Sequence, residues 1–288
     1  MRASRFIAGV TAGLIAVLGG CAGEMPAANS TAPPRGVSVS LRQWRADETA
    51  HELEVAVRND TTTPVYFADV RLVTESFRTL PPTWVNVTLA RTPRTDLKIP
   101  YGVAVCGPVR VPDMRPATVI AHIRVGDEPL HEVRFALPHP DPLLGHLLAT
   151  ECGSFILSQK VNISFGDSWT TVRGDGTEKL RGTLSVTRMT GDEDISIDEL
   201  GSTTNFNLRP SPDGHRPVAT LPAGERQVVV PVVVTPARCD EHAFAEAKKG
   251  FLFPIYATAG ERHYVIVEPS AAGKATFVAY AKKVCGLP

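Results

Sequence analysis

The chain has 288 residues, 43% of them apolar, which is enough for two ordinary domains with real cores. Thirty basic and thirty acidic side chains cancel. A chain without basic excess lacks the charge that holds a phosphate backbone, which argues against a nucleic-acid partner. The 24 prolines and 23 glycines are spread along the chain rather than repeated, as in a turn-rich β protein.

Arg2 and Arg5 precede an uncharged apolar run from Phe6 to Leu18. That is the length of a signal-peptide apolar region and short of a membrane-crossing helix. Leu18-Gly19-Gly20-Cys21 follows and resembles a bacterial lipobox, in which the cysteine takes a diacylglyceryl group and becomes the new N-terminus. This implies a lipoprotein signal peptide at residues 1–20 and lipidation at Cys21. It also implies export, with anchoring to the bacterial cell membrane or envelope. Two or more acyl chains hold a protein stably where one does not. Loss of Arg2 and Arg5 leaves 28 basic against 30 acidic side chains. Residues 21–36 are mostly Gly, Pro, Ala, Ser and Asn and have no periodic apolar face, which predicts a flexible, disordered tether.

Residues 37–153 then read as a first β domain. Val37-Ser-Val-Ser-Leu41 alternates, and so do Leu53, Val55 and Val57 with Glu54, Ala56 and Arg58. Asn59-Asp60-Thr61 turns the chain into a strand through Val65, Phe67, Val70 and Leu72. Pro81-Pro82 separates it from Trp84 to Val87. Leu97 to Val105 leads into Cys106. Val119, Ala121 and Ile123 turn at Gly126-Asp127 and return through Val133, Phe135 and Leu137. Leu143 to Ala149 fits a short helix or a strand.

Residues 154–288 repeat the plan. Val161 to Phe165, followed by Trp169, echoes Val37 to Trp44. Leu180, Leu184 and Val186 form the next strand, residues 191–199 read as an acidic turn, and Leu208 to Gly224 as a polar loop. Gln227 to Val234 reads as a strand covered on both faces. Phe251 to Ala259, Tyr264 to Val267 and Ala275 to Ala281 are expected as the last strands. One short helix is expected, capped by Asp240, with Ala243, Phe244 and Ala247 on its apolar side and Gly250 ending it. Long periodic helices are not expected. The fold class is therefore mainly β: two tandem Ig-like β-sandwich domains after a signal peptide and tether.

The cysteines agree with this plan. Five minus Cys21 leaves four, an even number in an exported chain. Cys106 to Cys152 and Cys239 to Cys285 both span 46 residues, and Cys-Gly closes each unit. Of three connectivities, the repeat selects Cys106–Cys152 and Cys239–Cys285, one internal disulfide per domain. A thiolate metal site is the alternative, but no Cys-x-x-Cys pair is present.

Arg238-Cys239-Asp240-Glu241-His242-Ala243, with Ala245-Glu246-Ala247-Lys248-Lys249-Gly250, resembles a stretch in a family of uncharacterised secreted actinobacterial proteins. That family usually has Pro, Asp and Arg where this chain has Glu241, Ala247 and Lys249. The resemblance covers a dozen residues and carries no reaction or ligand.

Phe165-Gly166-Asp167-Ser168 resembles the nucleophile block of GDSL-type esterases. Those enzymes need an Asp-x-x-His, and Asp240 and His242 stand one residue too close. A β-turn is the plainer reading of residues 165–168. His131, His139 and His146 are near one another in sequence but suit a solvated loop. The expectation is thus a non-enzymatic envelope lipoprotein, with no cofactor and no metal, that meets an envelope protein or glycan. The best candidate for a functional patch is Asp240 with His242. The alternative is an envelope hydrolase or metal-binding protein that uses the same two residues.

Overall fold

The computed structural model describes residues 31–287 apart from Asp175 and Asp213. The signal segment and Cys21 lie outside the described residues. From Thr31 the chain forms one compact unit. The last six residues of the expected tether belong to that unit: Arg134 N donates to Thr31 O at 2.8 Å, and Asp60 N to Gly36 O at 2.8 Å.

Seven strands build the first sandwich. They are β1 (Val37–Arg42), β2 (Glu52–Asn59), β3 (Val65–Thr74), β4 (Thr83–Leu89), β5 (Thr92–Pro100), β6 (Ala117–Val125) and β7 (His131–Ala136), with a short helix α1 (Arg45–Glu48) after β1. They form two antiparallel sheets, β1-β2-β5 and β4-β3-β6-β7. The alternating apolar residues face each other between the sheets: Leu53, Val55 and Val57 from β2, Leu97 and Ile99 from β5, and Val119, Ala121 and Ile123 from β6.

Helix α2 (Pro142–Lys160) follows β7. Asp141 caps it, its Oδ1 accepting from Leu143 N and Leu144 N at 3.0 Å, and Pro142 takes the first helical position, where its missing N–H costs nothing. Leu144, Leu147, Leu148 and Cys152 enter the first core, whereas Leu157 enters the second. The expected domain boundary at residues 153 and 154 therefore falls inside one helix that both cores share. Lys160 ends α2 and the next residue opens the following strand, so no linker separates the halves.

The second sandwich has nine strands: β8 (Val161–Phe165), β9 (Thr170–Gly174), β10 (Thr177–Arg188), β11 (Ile195–Leu200), β12 (Phe206–Pro210), β13 (Ala219–Leu221), β14 (Gln227–Pro236), β15 (Phe253–Ala259) and β16 (Glu261–Val267). Helix α3 (Glu241–Glu246) sits between β14 and β15, and α4 (Ala271–Cys285) follows β16. Sheets β8-β10-β14 and β13-β11-β15-β16 reproduce the two sheets of the first half strand for strand, with β12 added beyond β14 and β9 paired to β10. The copies share an irregularity as well. β3 is bulged between Phe67 and Asp69, and β11 between Ile197 and Glu199. Each bulge shifts the inward set by one residue, giving Val65, Phe67, Val70 in one copy and Ile195, Ile197, Leu200 in the other.

Four expectations are corrected. Ala275 to Ala281 is helix, not strand: Gly273, Phe277, Tyr280 and Ala281 are buried at helical spacing, Ser270 Oγ accepts from Gly273 N at 3.2 Å, and Gly286 ends the helix at φ 63°. Long helices are present, since α2 has 19 residues and α4 has 15. Residues 195–200 are strand rather than acidic turn. β14 is covered on one face only, with Val230, Val232 and Val234 buried and Val229 exposed.

Candidate functional site

Both disulfides are formed as the repeat predicts. Cys106–Cys152 and Cys239–Cys285 each span 46 residues with Cα atoms 5.1 Å apart. Each ties the crossover between the two sheets to the helix that follows the last strand of its half.

At the first bridge, polar contacts reinforce the tie. Glu151 Oε2 accepts from Ala104 N at 2.9 Å, and Glu151 Oε1 lies 3.1 Å from His51 Nε2. His51 Nδ1 lies 2.9 Å from Tyr101 O, and the two rings stack at 3.9 Å. Burial, then the Glu151 charge, pushes the Tyr101 phenol well above its ordinary range. This is a closed structural network, and all of its members have partners.

At the second bridge the crossover is α3. Asp240 caps it as expected, with Oδ1 accepting from His242 N at 2.9 Å, and His242 is exposed. The candidate pair thus holds the first turn of a six-residue helix. The next side chains do more. Glu241, Phe244 and Ala245 form one wall of a cleft of about 290 Å³, and Val278, Ala281 and Lys282 of α4 form the other. Phe251, Leu287 and Asn205 complete the lining. Phe206 supports it from beneath, 5.7 Å from the Phe244 ring and 5.5 Å from the Phe251 ring.

Asn205 is 2% exposed, and its Oδ1 has no hydrogen-bond partner among the described residues. Its backbone is well held: N donates to Thr203 Oγ1 at 3.2 Å, and O accepts from Ala237 N at 2.9 Å. Thr203 Oγ1 in turn donates to Gly250 O at 2.8 Å. A Cβ at Gly250 would come within 2.7 Å of the Asn205 amide nitrogen, so any larger residue there would displace the Asn205 side chain.

A second surface lies on the outer face of β4-β3-β6-β7. Trp84 is 71% exposed. Across the sheet from it, Asp69 at the bulge holds His122 Nδ1 at 3.0 Å. Beside them Arg124 lies over the Tyr66 ring at 5.0 Å, and Tyr66 donates to Asn86 Oδ1 at 2.9 Å. Asn86 is held at φ 46° in mid-strand, a left-handed conformation that few non-glycine residues adopt. The equivalent sheet of the second half carries a similar group, with Tyr256 and Tyr264 rings 5.3 Å apart and Arg262 over Tyr256 at 4.6 Å.

The other motifs have structural partners. Ser270 Oγ donates to Asp167 Oδ1 at 3.3 Å, so the turn after β8 is tied to the cap of α4. Glu193 pairs with Lys160, whose ammonium holds the carboxyl below its usual range, and Asp194 Oδ1 accepts from Ala223 N at 2.7 Å. His131 Nδ1 lies 3.0 Å from Pro129 O, and His139 and His146 are exposed. Among the described residues, no three His, Cys, Asp or Glu side chains converge as a metal site. No described helix is long and apolar enough to cross a membrane. No protein-family model matches the chain, and no curated protein matches it.

Proposed function

We propose that the protein is an exported, lipid-anchored binding protein of a bacterial envelope, without catalytic activity, that meets an envelope protein or glycan through the outer face of its first sandwich. The observation that carries this reading is the surface around Trp84. A tryptophan 71% exposed, a tyrosine under an arginine and an Asp–His pair are grouped there. Exposed Trp, Tyr and Arg are the side chains that dominate recognition surfaces. The left-handed Asn86 adds local strain of the kind that gathers at ligand-facing positions.

Two further features support the reading. Stapled crossovers suit an oxidising compartment. The lipobox at Leu18 to Cys21 supplies the anchor, and the resemblance around Cys239 to secreted actinobacterial proteins accords with export.

The test is retention. Immobilised protein is exposed separately to solubilised envelope proteins and to purified cell-wall glycan. One of the two is retained by the native protein and at least tenfold less by Trp84→Ala, while the thermal transition of the variant is unchanged. Equal retention by both forms contradicts the reading. So does substrate turnover that a single side-chain change abolishes.

A further inference from the structure

We propose that the cleft between α3 and α4 is a ligand site for a small, neutral, largely apolar molecule of about two-ring size that carries one O–H or N–H donor for Asn205. This site is separate from the Trp84 face and does not depend on it.

Size comes first. The cleft of about 290 Å³ is just under the range in which proteins hold drug-sized molecules, roughly 300 to 1,000 Å³, which limits it to a small guest. Its walls are preformed. Cys239–Cys285 ties the start of α3 to the end of α4, and Phe206 fixes the two phenylalanine rings from below.

Chemistry follows from the lining. Phe244, Ala245, Phe251, Val278, Ala281 and Leu287 are apolar, and the two phenylalanine rings favour an aromatic guest. Glu241 and Lys282 carry opposite charges, so the lining attracts neither sign. A neutral guest fits that balance.

Asn205 sets the polar requirement. Its buried amide oxygen accepts no bond from the protein, an unfavourable state for a buried polar atom. That oxygen is shielded from the cleft as it stands, and rotation about the broad terminal torsion is what brings it to the wall that Asn205 lines. A mostly apolar lining gives a water at that oxygen few further polar partners, so a guest that brings its own donor competes well for it. A guest with an apolar body and one donor satisfies the oxygen and fills the hollow together.

The test uses the exported chain with the anchor removed (Cys21→Ala), and two probes that differ only in the donor. These are 2-naphthol and 2-methoxynaphthalene, titrated by calorimetry. We expect saturable binding of 2-naphthol to one site and at least tenfold weaker binding of the methyl ether. Asn205→Leu should abolish that preference and leave the melting temperature equal or higher, because it replaces an amide with an unpaired oxygen by an apolar group of similar size. Phe244→Ala should weaken both probes. If Asn205→Leu fails to fold, Ala245→Trp decides: it should fill the cleft and remove 2-naphthol binding at an unchanged melting temperature. Absence of saturable binding, equal affinity for the two probes, a preference that survives Asn205→Leu, or undiminished binding to Ala245→Trp overturns the proposal.

Discussion

Gly153 of α2 lies flat against the His263 ring of β16, so close that a Cβ at residue 153 would overlap the imidazole. This contact is where the helix shared by both cores meets the second sandwich.

Gly153→Ala therefore sets two effects against each other. Alanine favours a helix interior over glycine by about 1 kcal/mol. Overpacking against His263 disfavours it by roughly 1–3 kcal/mol. We expect a net loss near 1 kcal/mol in urea unfolding. In the His263→Ala background the same change should become stabilising, which gives a coupling of about 1–3 kcal/mol in a double-mutant cycle. Additive effects would show that the helix is not seated on that ring.

The two disulfides should differ in what they protect. Loop closure over 46 residues rates each at about 4 kcal/mol. Cys152 sits in α2, which serves both cores, so replacing Cys106 and Cys152 by serine should lower the global transition. Cys239 sits beside α3, six residues long and not stable alone. Serine at 239 and 285 should raise amide exchange over residues 238–252 and leave β14 and β15 protected. Loss of protection in those strands would contradict this division.

Asp47 supplies a pH signature. It is 1% exposed. Burial works to raise its pKa, but Lys98 Nζ at 2.6 Å and Trp44 N at 2.9 Å outweigh burial and hold the carboxyl below its ordinary range. A folded pKa below the unfolded value means stability that is present above about pH 4 and lost as pH falls through the folded pKa. Glu54 has the opposite sign: burial, then the Asp47 charge, raises its pKa, so its contribution improves on acidification. Asp47→Asn isolates the first effect. At pH 7 it should lower unfolding free energy by about 2 kcal/mol. The gap should close as pH falls below about 4 and through the lowered native value, where the native carboxyl also loses its charge. A gap independent of pH would rule out the charge as its origin.

Much of the fold was legible because half-buried strands write their burial as alternation. Even the slip from Phe67 to Val70 in an otherwise alternating run marks the bulge, and Ile197 to Leu200 repeats it. The equal cysteine spacings pointed to the pairing. Helix α4 reads as a strand in the sequence because Phe277, Val278 and Ala281 suit a strand as well as a helix. The deciding signs were Ser270 at one end, Gly286 at the other, and the spacing of Phe277, Tyr280 and Ala281. α2 shows no single stripe in the sequence because its apolar residues serve two different cores. The cleft was out of reach. Asn205, Phe244, Phe251 and Val278 come from separate segments, and nothing in the sequence announces that an asparagine will be buried without a partner. Asp240 and His242 lie at the start of α3, where they hold its first turn and do not line the cleft.

The central claim is a duplicated β body, stapled within each half and held at a membrane outside the cytoplasm. Its most direct test is non-reducing peptide mapping by mass spectrometry of the protein extracted from the envelope of its host. The account predicts an acylated N-terminal Cys21 and two linked peptide pairs, Cys106 with Cys152 and Cys239 with Cys285. Free thiols at those four positions, a bridge from one half to the other, or an unmodified Cys21 in an uncleaved chain would contradict it.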